Sequence, residues 1–162
     1  MHSKIFQISN APIDKDDYSI PEHYYDDSPL FADYIGEPIK GETREDCIEW
    51  LAESISDLFS YDKEAGAFVY KGKDALHEFN RKWTEAIREI ADKLTADNLM
   101  EEHNLHRLRK LTKSTHLDSS FRFDINEWNG WAGPMEDLVE YAGYQLKEGD
   151  RIYVGAVIDY HY

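Results

Sequence analysis

Residues 59–94 read FSYDKEAGAFVYKGKDALHEFNRKWTEAIREIADKL, and a change of period inside this stretch decides the fold class. Its first twelve residues are two short aromatic runs, Phe59–Asp62 and Ala67–Tyr70, around the turn-forming Lys63-Glu64-Ala65-Gly66, which predicts a β-hairpin. From Asp74, the expected cap, the spacing changes: Leu76, Phe79, Trp83, Ile87, Ile90 and Leu94 recur in steps of three and four. That is one apolar face of a helix. A hairpin running directly into an amphipathic helix calls for a sheet with helices packed against it.

Upstream, Thr43 is a suitable N-cap with Asp46 three residues on, and Ile48, Leu51, Ile55, Leu58 and Phe59 predict a helix over 44–59. Residues 4–9 (KIFQIS) read as an opening strand. Between them lies a long acidic loop, about 10–42, with Pro12, Pro21, Pro29 and Pro38, which exclude a long helix there. Its interleaved Tyr18, Tyr24, Tyr25, Tyr34 and Phe31 argue for a loop packed on the domain, with a short helix near 29–35. Downstream, Leu99, Leu105, Leu108 and Leu111 predict a third helix. Phe121, Phe123 and Ile125 alternate as a half-buried strand should, Pro134 suits the first turn of a short helix, and residues 151–160 form a final strand. The expectation is a single α+β domain over 1–162, with a mixed or antiparallel sheet of about 4–5 strands and about three to four helices on one face.

Composition bounds the function. Aromatic residues make up 14% of the chain and hydrophobic ones 41%, too much for an acidic tail without a core. There is one cysteine, Cys47, whose place beside the buried stripe of the first helix suits a small core residue; no disulfide or thiolate zinc site is available. No apolar run approaches the ~20 residues of a membrane span. With no signal layout and no glycosylation triplet, a cytoplasmic protein is expected, with no membrane partner. The formal net charge is −15, spread over every region except 103–122, where one acid faces five bases. Direct binding to nucleic-acid phosphates is therefore disfavoured, and a basic protein partner is favoured.

The sequence contains no G-x-G-x-x-G, G-x-S-x-G or H-E-x-x-H motif. Gly66 to Lys73 spaces its glycines one residue too widely for a phosphate loop, and Asp74 stands where Ser or Thr is needed. Asp14, Asp16 and Asp17 begin a calcium-loop pattern that fails after its second term. His103 and His106, with Glu102 nearby, share a helix face and are two ligands of an incomplete metal site; the adjacent Arg107, Arg109 and Lys110 oppose a cation. Trp128-Asn129-Gly130-Trp131 is expected to fold back over the core. No cofactor is expected.

One pattern goes beyond solubility. Glu45, Glu49, Glu53 and Asp57 follow one another in steps of four, with Asp46 alongside, placing like charges ~6 Å apart along a helix. On the 74–94 helix, by contrast, Glu78–Lys82, Arg81–Glu85 and Glu89–Lys93 alternate in sign. A fixed negative row beside the loop acids Asp14, Asp16, Asp17, Asp26 and Asp27, with Tyr24 and Tyr25 adding flat contact area, imitates a strip of phosphates. The expected function is a protein-binding module, an inhibitor that copies nucleic-acid charge and blocks a basic partner such as a nuclease; small acidic inhibitors of nucleases offer an analogy of size and charge. The alternatives are a small metal-dependent or acid/base enzyme using His103 and His106 with carboxylates, and a structural accessory protein without catalysis.

Overall fold

In the computed structural model, the described residues are 2–24, 34–36, 41–101, 103–104, 121–126, 128 and 130–161. Strand β1 (His2–Ser9) leads through two short 3-10 turns, Lys15–Asp17 and Pro21–Tyr24, to β2 (Tyr34–Gly36). Helix α1 (Arg44–Ser54), the hairpin β3 (Phe59–Asp62) and β4 (Ala67–Tyr70), and helix α2 (Lys73–Ala91) follow. Strand β5 (Phe121–Ile125), helix α3 (Met135–Gln145) and β6 (Arg151–His161) complete the order.

The α+β class and mixed sheet are as expected, but the sheet has six strands because the acidic loop contributes β2. The strand order is β3-β4-β6-β1-β5, with β2 also on β6. All pairs are antiparallel except β1 with β5. β1 fills one edge of β6 along its length, so β4, at 151–153, and β2, at 159–161, share the other edge.

Both faces of the sheet are covered. On one, Phe6, Ile8, Phe123 and Ile152 pack against Cys47, Ile48 and Leu51 of α1 and Leu138 and Ala142 of α3. On the other, Ile5, Ala156, Ile158 and Tyr160 meet Tyr24, Ile35 and Ala132. The inner side of the acidic loop is therefore a lid on the second face, and helices account for only the first.

Several boundaries differ from expectation for local reasons. α1 ends at Ser54, and Ile55 to Leu58 turn instead of continuing the helix. Ile55, Leu58 and Phe59 remain buried from that turn, so a helical apolar pattern persists where the helix does not. Asp74 does not cap α2; the cap position is Gly72 with φ +92°, without a side-chain hydrogen bond. A Cβ at Gly72 would also stand 2.9 Å from the Glu148 side chain, so the position favours glycine twice over. Of α2's apolar stripe only Phe79 is fully buried; Leu76, Trp83, Ile87 and Ile90 are half-buried. Residues 34 and 35, expected in a short helix, are strand. The third predicted helix lies almost wholly outside the described residues, although His103 and Asn104 are helical.

Candidate functional site

The acidic row starts from a well-built helix end. Thr43 Oγ1 accepts from Asp46 N at 3.1 Å while Asp46 Oδ2 accepts from Thr43 N at 3.0 Å, a complete capping box. These bonds from Thr43 hold the Asp46 carboxyl below its ordinary pKa. Asp46 is thus exposed but already employed.

The remaining acids divide. Glu49 Oε1 lies 2.5 Å from Lys63 Nζ, in the hairpin turn, and Asp57 Oδ2 lies 3.0 Å from Lys82 Nζ on α2. Because α1 stops at Ser54, Asp57 is not the fourth member of a helical row. Glu45 is 3.6 Å from Arg44, and Glu53 is exposed with no ion pair among the described residues. On the loop, Asp14, Asp16, Asp17 and Glu22 are all exposed, again without an ion pair among the described residues. Asp14 also accepts from Asp16 N, ordering the first 3-10 turn. On α2, Arg81–Glu85 at 2.5 Å and Lys93–Glu89 at 2.7 Å form as their spacing suggested, but the expected Glu78–Lys82 pair does not: Glu78 lies 2.5 Å from Arg81, because Lys82 is taken by Asp57.

The loop and α1 meet at Arg44. Its guanidinium lies 5.4 Å from the centre of the Tyr18 ring and donates to the carbonyls of Val154 and Gly155. Those carbonyls belong to the part of the β6 edge between β4 and β2, so Arg44 satisfies backbone that neither strand reaches. Here β6 carries one extra residue relative to β1, a bulge between the Phe6↔Val157 and Ile8↔Val154 pairs. Gln7 fills the bulge: its Oε1 accepts from Ala156 N and Ser19 N, each at 3.0 Å, and its Nε2 donates to Asp17 O at 3.1 Å. One buried amide thereby ties the acidic loop to the sheet.

Tyr24 does not offer itself to a partner. It is 5% exposed, and its hydroxyl donates to Asp124 Oδ2 at 2.6 Å. Burial, reinforced by the Asp124 charge, pushes its phenol pKa well above the ordinary tyrosine value. Tyr25, Asp26 and Asp27 lie outside the described residues, as does His106. His103 is exposed, and no group of three His, Cys, Asp or Glu able to hold a metal occurs among the described residues. A groove of about 630 Å³ between α2 and α3 has Asp74, His77 and Glu140 on its walls without converging hydrogen bonds. Trp128 covers the core as expected, half-buried and edge-on to Tyr141, whereas Trp131 is exposed.

A second polar cluster was not visible in the sequence. Lys4, 2% exposed, lies 3.0 Å from the fully buried Asp159 and 2.6 Å from Glu42. Burial opposes its charge, but the bonds to Glu42 and Asp159 prevail and hold the ammonium pKa above the ordinary lysine value. Cys47, close by, is buried, and burial pushes its thiol pKa up, which suits a packing role.

No family model, curated protein or solved structure matches this chain. Among the described residues no helix is long and apolar enough to cross a membrane.

Proposed function

We propose that this protein is a binding module whose acidic surface engages a cationic protein, acting as an inhibitor that occupies a nucleic-acid-binding groove. The observation that carries the reading is the adjacency, through Arg44 and Tyr18, of two acidic elements whose exposed carboxylates Asp14, Asp16, Asp17, Glu22 and Glu53 lack ion-pair partners among the described residues. On α2, by comparison, Arg81 and Lys93 neutralise Glu78, Glu85 and Glu89. The contact surface is narrower than the sequence pattern suggests. Glu45 and Glu53 contribute directly, Glu49 must exchange Lys63 for the partner, and Asp57 and Tyr24 stand outside it. Trp50, 40% exposed between Glu49 and Glu53, adds an aromatic contact of the kind enriched at interfaces.

The test uses the full chain and a Glu45→Lys/Glu49→Lys/Glu53→Lys variant as baits in lysate, with circular dichroism verifying the variant's fold. The expected catch is a basic nucleic-acid-binding protein that is held at low salt, released at high salt and displaced by duplex DNA. The folded triple variant should lose it. Retention of the same proteins by both baits would reject α1 as the contact surface.

A further inference from the structure

A cleft of about 590 Å³ opens at the carboxyl ends of the parallel pair β1 and β5. Its walls are held by the backbone. Asn126, just past β5, donates its N–H to Ile8 O at 2.9 Å, and Trp128 N donates to Ile125 O at 3.0 Å. The opposite wall is the turn before β6, where Asp150 Oδ2 accepts from Lys147 N and Gly149 N donates to Tyr70 O. Arg151, at the rim, is steadied by Asp62 at 3.0 Å. The floor includes the Trp128 ring, set edge-on to Tyr141 at 5.8 Å.

What projects into this fixed frame is chemically specific. Three side-chain amides, Asn10 after β1, Asn126 after β5 and Gln145 on α3, border the cleft without a hydrogen-bond partner among the described residues. Each offers donors and an acceptor together. Arg151 is paired with Asp62 and Asp150 accepts from Lys147 N, so both charged groups are engaged within the walls and the free groups left to meet a ligand are neutral. The matching ligand is neutral, dense in groups that both donate and accept, and has one apolar face to lie on an indole. Those are the properties of a pyranose sugar. The volume falls within the ~300–1,000 Å³ of small-molecule sites, and pre-set walls spare the ligand the entropy of ordering them.

We infer that this cleft binds a neutral saccharide, with Trp128 beneath the sugar ring and Asn10, Asn126 and Gln145 reading its hydroxyls. The site is independent of the acidic strip and does not rest on the reading given for it.

The test is an NMR titration of the full chain with glucose, galactose, mannose, N-acetylglucosamine, maltose and cellobiose, with adenosine as the flat heterocyclic control. At least one sugar is expected to bind in the ~mM range or tighter, shifting the Trp128 indole N–H and the amides of Asn126 and Gln145. Asn126→Ala/Gln145→Ala, which changes two exposed side chains and leaves the core intact, should weaken it about tenfold or more. No shift at these groups with any sugar overturns the proposal. So does sugar binding that survives the double substitution, or shifts with adenosine alone.

Discussion

Lys4→Met isolates the energetics of the ion pair that joins the two central strands. Asp159 is fully buried and Lys4 nearly so, while Glu42, about half exposed, can return to water once the ammonium is gone. Asp159 cannot. Removing the cation from a buried ion pair costs about 3–5 kcal/mol. With a urea slope of ~2–3 kcal/mol/M for a domain of this size, the unfolding midpoint should fall by roughly 1–2 M at pH 7. Replacing both partners, Lys4→Met/Asp159→Leu, should restore most of the lost stability, because two apolar groups then fill the same space. Equilibrium urea unfolding at pH 7, followed by tryptophan fluorescence, measures the parent and both variants. A single variant within ~0.5 M of the parent, or a double variant no more stable than the single, would refute the account.

The wild-type pair carries its own pH signature. Because the Lys4 pKa is raised in the folded chain, its stabilisation is complete below the unfolded lysine value and is lost as pH rises through the folded one; the urea midpoint should therefore decline on the alkaline side. Tyr24 acts in the same direction, so absorbance titration should show its phenolate appearing only together with unfolding, and Tyr24→Phe should remove that component. Arg44→Ala leaves the Val154 and Gly155 carbonyls without their charged donor and should cost about 1.5–3 kcal/mol in the same urea assay, with faster amide exchange along the middle of β6. Thr43→Ala breaks the capping box and should cost about 1 kcal/mol, read from the urea midpoint.

The hairpin, α2 and β5 were legible because each is specified by a period within a few residues of itself. Thr43 and Asp46 were legible for the same reason. The end of α1 was not, since Ile55 and Leu58 are buried equally well by a turn as by a continuing helix. Tyr24 was read as contact area because nothing local announces Asp124, a hundred residues away and 2.6 Å from its hydroxyl. The acidic row was correctly placed on the surface, yet its neutralisation by Lys63 and Lys82 depends on how the hairpin and α2 fold beside α1. Arg44 carried no local signal, and Lys4 and Gln7 carried only a faint one. A lysine or glutamine inside a short apolar strand was the available hint: burying either demands a partner, and the partners came from β6 and the loop.

The central position of β6 has a kinetic consequence. The β3–β4 hairpin, β2 and β5 are joined to one another only through it or through β1, which itself pairs with β6 across more than a hundred residues of chain. Closing so large a loop precedes any reward from the contacts it creates, and such topologies fold slowly. Until residues 151–161 are in place, the β3–β4 hairpin and β1 have no common neighbour, and their apolar faces stand open. The sheet is therefore keyed like an arch, in which the segment translated after the other strands holds them together, and refolding should proceed through a lag that shortens when β1 and β6 are tethered.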